Sequence, residues 1–303
     1  MSARAIGVDL GGTKALACLV DEEGGILARA TRPTGRATDP RRALELVRAL
    51  VAEVTPSAGA PPVGVGVGFP GLVDARAGVA RSSVILDGWR DVPLAAEVRA
   101  ATGLACVVDN DVNAAAVAEL RARAGDEALA GPDATMLFVA VGTGIGGALV
   151  LGARPWRGAG GVAGEIGHTT IDRHGLVCEC GRRGCLNTVA SGSGVERALG
   201  LAPGTLAAHV AAGDPRAVAA LREAARALGV GLANALNLLS PHLVVLGGGL
   251  AGGGGQYLAE VAQAARAEAF PEASAGCRFE LALAGYEAGA VGAGLAALDR
   301  ARG

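Results

Sequence analysis

A pattern of strand, glycine turn and strand occurs twice in this sequence. The apolar run from Ala3 to Val8 precedes Asp9-Leu-Gly-Gly-Thr-Lys14, and a second apolar run continues to Val20. The apolar run 135 to 141 precedes Gly142-Thr143-Gly144-Ile145-Gly146-Gly147, and a further strand is expected at 148 to 151. Strands joined by such a turn form a hairpin. One glycine motif is weak evidence, but the pair predicts a duplicated α/β fold that clamps phosphates between its halves.

The first glycine turn carries groups that suit phosphate binding. Gly11 and Gly12 expose backbone amides, Thr13 offers a hydroxyl and Lys14 an ammonium. Asp9 ends the preceding strand, where a carboxylate can bind Mg²⁺ through water. The simpler alternative is a turn that only closes a hairpin.

Two further predicted strands end in residues that could bind a ligand or take part in catalysis. A predicted strand at 243 to 246 ends in Gly247 and Gly248, which either admit the adenine and ribose of a nucleotide or form a flexible loop. A predicted strand at 104 to 108 ends in Asp109-Asn110-Asp111 ahead of a helix. Asn110 or Asp111 can cap that helix. Alternatively, the Asp111 carboxylate projects from the strand end as a general base.

The other periodic segments complete an α/β pattern. Residues 75 to 94 are predicted to be irregular. The remaining predicted strands lie at 26–31, 63–68 and 279–283, and the predicted helices at 40–54, 94–102, 112–123, 194–199, 205–212, 215–239, 256–269 and 288–300.

Composition limits the partners of the chain. The 303 residues suffice for two domains. A net charge of −2 and 3% aromatic residues do not indicate a binding surface for nucleic acid or for a membrane. Two stretches without Asp, Glu, Lys or Arg, 134 to 153 and 228 to 256, are interrupted by glycine and polar residues. They fit buried elements better than membrane spans. No secretory signal pattern precedes the first strand, so a cytoplasmic location is expected.

The segment from Gly164 to Asn187 predicts a metal site. Its residues Cys178, Cys180, Cys185 and His168 supply three thiolates and one imidazole, a complete tetrahedral set for a structural zinc ion. Glycines at 181 and 184 allow the tight return that Cys185 needs. A disulfide is the weaker alternative, because Cys178 and Cys180 are too close to pair comfortably. His174 lies in the same loop and competes as the fourth ligand.

Glu165 stands three residues before His168. If one ring nitrogen of His168 binds zinc, the other can hydrogen-bond a ligand. A carboxylate beside a neutral imidazole suits a polyhydroxylated substrate. The alternative is a surface carboxylate beside a purely structural metal ligand.

With these motifs assembled, the chain resembles the ROK family of bacterial sugar kinases, related open reading frames and repressors. The resemblance spans the whole length and includes both glycine turns, the Asn110-Asp111 pair, the Gly164-to-His168 segment and the cysteine loop. It implies two RNase H-like (actin/hexokinase-type) α/β domains with a cleft between them. The predicted domains are 1–110, completed by about 286–303, and 111–285, which carries the zinc loop.

The resemblance also implies an activity, the ATP-dependent phosphorylation of a hexose with Mg²⁺, glucose to glucose 6-phosphate being expected. Asp111 would be the general base. The implied hexose-binding residues are Gly71, Ser83, Asn110, Asp111, Glu165, His168 and Asn187. The implied nucleotide-binding residues are Gly11, Gly12, Thr13, Lys14, Gly142, Thr143, Gly144, Gly247 and Gly248. The implied metal ligands are His168, Cys178, Cys180 and Cys185 for zinc and Asp9 for Mg²⁺.

Two departures from the family pattern affect the substrate. Many ROK kinases have a glutamate where this chain has Asn187, and the loop 82–88 lacks their Asn-Leu pair. A kinase for fructose, mannose or an N-acetylhexosamine is therefore the first alternative. A non-catalytic sugar sensor is the second; the repressors' DNA-binding region would precede Asp9, and no such region is expected here. A homodimer is expected by analogy with the family.

Overall fold

The computed structural model describes residues 2–35, 39–250 and 254–302, which form two compact units. The first unit comprises Met1–Gly125, Arg157–Ala163 and Leu283–Gly303, and the second Asp126–Trp156 and Gly164–Ala282. Elements are numbered below in chain order.

Each unit contains one five-stranded sheet, and the two sheets have the same topology. Their orders are β3-β2-β1-β4-β8 and β11-β10-β9-β12-β13. In both, the first three strands along the chain pair antiparallel and the last two join in parallel. The strands are β1 (Ala5–Leu10), β2 (Lys14–Val20), β3 (Ile26–Pro33), β4 (Val65–Phe69), β8 (Cys106–Asn110), β9 (Thr135–Val141), β10 (Ile145–Leu151), β11 (Arg154–Trp156), β12 (Leu243–Gly247) and β13 (Arg278–Leu281). The predicted duplication of an α/β fold is confirmed.

Helices cover both faces of the first sheet. Alternate residues of β2 point to opposite faces, one facing α1 and α2 and the other facing α3 and α10. The helices of this unit are α1 (Pro40–Val54), α2 (Leu94–Thr102), α3 (Asp111–Ala122) and α10 (Ala288–Arg302). Those of the second unit are α4 (Asn187–Ala190), α5 (Gly192–Leu199), α6 (Leu206–Ala211), α7 (Pro215–Leu239), α8 (Gly255–Glu268) and α9 (Pro271–Ser274). Among the described residues, no helix combines the length and hydrophobicity needed to cross a bilayer.

Helix α10 lies unusually close to the first sheet. A Cβ added to Gly7 would collide with the carbonyl oxygen of Ala290, and one added to Gly66 would collide with that of Ala293. Glycine at these two strand positions therefore lets the helix backbone rest directly on the strands.

A buried ion pair attaches the chain leading into α10. Glu119 of α3 is fully buried and accepts a hydrogen bond of 2.6 Å from Arg123. Its carboxylate also accepts the backbone amides of Leu283 at 2.9 Å and Ala284 at 3.0 Å. Helix α3 thus lies in the first compact unit because it packs on α10 and holds this segment. The predicted domain boundary between residues 110 and 111 stays a prediction.

Two local predictions are wrong. Residues 75 to 94, predicted to be irregular, include β6 (Val79–Ser82) and β7 (Arg90–Val92), which form a small antiparallel sheet with β5 (Leu72–Asp74). These strands are too short to show an alternating pattern. In addition, β10 begins at Ile145, so Gly146 and Gly147 are strand residues rather than turn residues. A Cβ at Gly147 would lie 2.6 Å from the carbonyl oxygen of Gly164, so glycine permits a close backbone approach.

Candidate active site

The first glycine turn joins β1 to β2 as predicted. The Gly11 amide donates to the Lys14 carbonyl at 3.0 Å, closing the turn. Thr34, which the sequence reasoning missed, donates its hydroxyl to the Gly11 carbonyl at 2.7 Å and its amide to the Thr13 carbonyl at 3.0 Å. Thr13 and Lys14 are exposed. The turn therefore presents a hydroxyl and an ammonium from a fixed backbone.

Two neighbours define the electrostatics of this turn. The Lys14 ammonium lies 4.4 Å from the centre of the Tyr286 ring, a cation–π contact. Asp9 is half-buried at the end of β1, and a Cβ on Gly289 would lie 2.9 Å from its carboxylate. Burial raises the pKa of Asp9 to about 6, with Lys14 acting in the opposite direction. The Asp9 carboxylate thus lies beside the turn and has lost part of its hydration, which disfavours its charged form.

The Asn110-Asp111 pair lies where β8 passes into α3. Asn110 is the N-cap: its Oδ1 accepts the amides of Val112 at 2.9 Å and Asn113 at 3.1 Å, and its Nδ2 donates to the Gly71 carbonyl at 3.2 Å. Asp111 is the first helical residue and is half-buried. The cap therefore belongs to Asn110. Asp111 holds its negative charge at the positive end of the helix.

Hydrogen bonds from Ser83 stabilise the turn at Gly71. The Ser83 hydroxyl donates to the Pro70 carbonyl at 2.6 Å and accepts the amides of Ile85 and Leu86 at 3.0 Å each. A Cβ at Gly71 would lie 3.0 Å from the Ser83 Cα, which shows how closely the two segments pack. These bonds use the donor and both acceptor positions of the hydroxyl. Ser83 thus orients this loop, and its predicted contact with the hexose stays a prediction.

An ion pair that the sequence reasoning missed supports the strand end. One oxygen of the buried Asp109 accepts the Asn110 amide at 2.9 Å and Asn113 Nδ2 at 3.1 Å. The other accepts Arg157 Nε at 2.9 Å and also its Nη2. Arg157 begins the segment Arg157–Ala163 of the first unit. The pair fixes the backbone one residue before Asn110, and only the charge of Asp109 at a strand end hinted at it.

In the second unit, Gly142, Thr143 and Gly144 form the turn between β9 and β10. The Gly142 amide donates to the Gly144 carbonyl at 2.9 Å. The third glycine run lies at the same sheet edge: Gly248 has φ +86°, and its Cβ would come within 2.5 Å of the Val141 carbonyl oxygen. Gly247 ends β12, and a Cβ there would lie 3.0 Å from the Phe138 ring. The two predicted nucleotide segments of this unit are therefore adjacent, and the positive φ and close backbone contact of Gly248 require glycine at that position.

The predicted metal ligands form one cluster. Ligand atoms of His168, Cys178, Cys180 and Cys185 all lie within 4.8 Å of one another, and His174 is not part of the group. Cys178 Sγ lies 3.7 Å from His168 Nδ1, and Cys180 Sγ lies 3.6 Å from Cys185 Sγ. The cysteines are free thiols. Three sulfurs and one nitrogen at this spacing fit tetrahedral Zn²⁺ with no position left open.

The ring orientation of His168 separates its two nitrogens. Nδ1 faces the sulfurs, whereas Nε2 lies 4.0 Å from Glu165 Oε2. Burial raises the pKa of Glu165, and His168 opposes that rise. The second ring nitrogen and the carboxylate are therefore side by side.

The family model described as the ROK family matches residues 5–300. The chain belongs to the ROK family. It is 36% identical over 253 residues to a glucokinase of Halalkalibacterium halodurans, covering 77% of this chain and 75% of that protein. It is 35% identical over 263 residues to an N-acetylmannosamine kinase of Citrobacter koseri, covering 84% and 86%.

A solved ROK structure supports the same assignment. The crystal structure of a ROK family glucokinase from Streptomyces griseus in complex with glucose and AMPPNP matches with a TM-score of 0.78 at 33% identity, covering 99% of both chains. The repeated strand order of this ROK chain is that of RNase H-like domains. The predicted fold class, two such domains of the actin/hexokinase type, is confirmed.

Proposed function

We propose that this ROK protein is an ATP-dependent hexose kinase in which Asp111 is the general base. The observation that carries the proposal is the placement of Asp111 as the first residue of α3, beside an Asn110 whose amide is oriented by the Gly71 carbonyl. A carboxylate held at a helix N-terminus favours its ionised form, which a base requires. The named relatives, kinases for glucose and for N-acetylmannosamine, support the same reaction class.

In the proposed reaction, the Asp111 carboxylate accepts the proton of a hexose hydroxyl, most simply O6. The hydroxyl oxygen then forms a bond to the γ-phosphorus of ATP as the bond to the β-bridging oxygen breaks and ADP leaves. Such phosphoryl transfer depends mainly on positioning and on neutralising charge. Gly12, Thr13 and Lys14 would bind phosphate groups through a backbone amide, a hydroxyl and an ammonium. Gly11, whose own amide closes the turn, would keep these donors in place.

Other residues take supporting roles in the proposal. Gly142, Thr143 and Gly144 would also bind the phosphates of ATP. Gly247 and Gly248 would admit its adenine and ribose. Glu165 and His168 Nε2 would accept and donate hydrogen bonds to sugar hydroxyls. Hexose and ATP are the partners, and a homodimer stays a prediction.

Two metal ions are part of the proposal. The cluster of His168, Cys178, Cys180 and Cys185 fits Zn²⁺, which would fix the ring of His168 rather than take part in the reaction. Asp9 would hold Mg²⁺ through water, and the ion would neutralise phosphate charge. Its half-buried carboxylate, whose pKa is raised by burial, fits a site completed by a cation.

Glucose is the hexose we propose first, because a glucokinase is among the relatives with 36% identity. N-acetylmannosamine is the second candidate, because its kinase is similar to nearly the same extent. An assay of ADP release across glucose, mannose, fructose and N-acetylmannosamine distinguishes them.

The experiment compares the native chain with Asp111→Asn and, as a control, with Asp133→Asn, which alters an exposed carboxylate. We expect turnover highest on glucose and a loss of about 100-fold or more with Asp111→Asn. Nucleotide binding by Asp111→Asn should remain, which separates loss of the base from misfolding. A folded, metal-replete native protein that turns over none of the sugars would contradict the proposal, as would native-like turnover by Asp111→Asn.

A further inference from the structure

Asn187 contacts the second glycine turn. Its Oδ1 accepts the backbone amide of Ile145 at 2.6 Å, immediately after Gly142–Gly144. A Cβ on Gly144 would lie 3.7 Å from the same oxygen. The acceptor end of the side chain is therefore engaged with the start of β10.

The residues after Asn187 bind the same turn. The Gly192 amide donates to the Gly142 carbonyl at 2.8 Å, and the Ser193 amide donates to the Thr143 carbonyl at 3.2 Å. Ser191 Oγ donates to the Asn187 carbonyl at 2.6 Å and so joins the two contacts. The stretch from Asn187 to Ser193 therefore fixes the turn at three of its four consecutive positions from Gly142 to Ile145.

The other end of the Asn187 amide faces the metal loop. A Cβ on Gly167 would lie 2.8 Å from Asn187 Nδ2 and would also collide with the Ile145 carbonyl oxygen. The Leu186 amide donates to the Thr169 carbonyl at 2.9 Å. The side chain thus lies between Gly167, which precedes a metal ligand, and the glycine turn.

We propose that Asn187 is a positioning residue for nucleotide binding, and that it acts by holding the Gly142–Gly144 turn rather than by serving as a hexose ligand. The proposal rests on the proposed function, because it assigns the turn to ATP phosphates. It revises the expected role of Asn187, whose acceptor oxygen is already used by Ile145. Without that acceptor, the Ile145 amide loses its partner and the turn loses one of its three external bonds.

The test measures two dissociation constants by calorimetry on the full, metal-replete chain: AMPPNP without hexose, and glucose without nucleotide. For Asn187→Ala we expect AMPPNP binding to weaken about fivefold to tenfold, the scale of one hydrogen bond. Glucose binding should change by less than about twofold. Asn187→Asp keeps the acceptor oxygen and, in salt sufficient to screen its charge, should restore AMPPNP binding to within about threefold of native.

A matched control removes the same kind of bond elsewhere in the unit. Asn237 Oδ1 accepts the Phe270 amide at 2.7 Å, and Asn237→Ala should leave both dissociation constants unchanged. Hydrogen exchange supplies a second measurement that does not depend on ligand. The Ile145 amide should exchange faster in Asn187→Ala, and should regain protection in Asn187→Asp.

The possible results distinguish a failure of the positioning role of Asn187 from a failure of the proposed kinase function. Weaker glucose binding with unchanged AMPPNP binding would make Asn187 a hexose ligand and overturn the positioning role. The positioning role would also be overturned if Asn187→Ala weakened the binding of both ligands equally or of neither. It would be overturned as well if hydrogen exchange of the Ile145 amide did not change, or if Asn187→Asp did not restore AMPPNP binding. Each of these leaves the kinase proposal standing if the native chain phosphorylates a hexose. A native chain that binds neither ligand would overturn both.

Discussion

Replacing Asp9 with asparagine removes a half-buried negative charge from the end of β1 and keeps a side chain of nearly the same shape. The carboxylate lies against Gly289 at the start of α10, and burial raises its pKa from 3.8 to about 6. Lys14 offsets part of the cost of burying the charge. Since the folded protein holds the proton more tightly than the unfolded chain, the ionised carboxylate destabilises the fold.

The sign and size of this effect follow from the pKa. A shift of about two units corresponds to roughly 3 kcal/mol, and the start of α10 beside Asp9 reduces the expected value to about 2–3 kcal/mol. Stability decreases as the pH rises from 3.8 towards 6, and the cost is fully present above pH 6. We therefore expect Asp9→Asn to be more stable than the native protein by about 2–3 kcal/mol at pH 7.5 but by only about 1 kcal/mol at pH 4.5.

Urea unfolding followed by circular dichroism, without nucleotide or Mg²⁺, measures this difference at both pH values. Comparing Asp9→Asn with the native protein cancels acid effects common to both, such as protonation of the metal ligands. Asp133→Asn, at an exposed carboxylate, serves as the control for the change of charge. The same Asp9→Asn protein should lose most of its kinase activity, because Asp9 is the proposed Mg²⁺ site. Equal gains at pH 7.5 and pH 4.5, or no gain at pH 7.5, would contradict a raised pKa of Asp9 in the folded protein.

Two other predictions concern the support of the site. Arg157→Gln leaves the buried Asp109 carboxylate without its guanidinium, so kcat should fall about tenfold while KM for ATP changes little. Arg157→Lys should recover part of the loss in kcat. The control Arg81→Gln, in an exposed ion pair, should change neither kcat nor KM. Native kcat in Arg157→Gln would show that the pair does not position the base. Elemental analysis should find one zinc ion per chain, absent from Cys180→Ser, whose melting temperature should drop. An unchanged melting temperature after zinc removal would argue against a structural metal.

Elements with local signals were predictable from the sequence. Helices α1 and α7 match their predicted bounds because each starts with an aspartate N-cap followed by proline, Asp39-Pro40 and Asp214-Pro215. The β1–β2 and β9–β10 hairpins follow from apolar runs on either side of glycines. The metal cluster was predictable because its cysteines lie within one short loop.

The contacts that were missed join residues far apart in the sequence. Arg157 lies 48 positions from Asp109, so no local pattern links them. The need for glycine at Gly7 arises only once α10 is placed against β1. Asn187 was expected to bind the hexose because it occupies the position of a glutamate in many ROK kinases, whereas its hydrogen bond to Ile145 depends on where β10 begins. Tertiary placement, rather than residue type, decides these cases.

Helix α10 has a consequence for how the protein is made. It covers the face of the first sheet that contains Gly7 and Gly66, yet it follows the whole second unit in the chain and is synthesised after it. At synthesis rates of about 5–20 residues per second, roughly 9 to 36 s separate the appearance of Gly125 from that of α10. During that interval the apolar face formed by β1, β2 and α3 lacks its cover, whereas the chain segments of the second unit are already being completed. The partly synthesised chain therefore exposes an apolar surface until α10 is made.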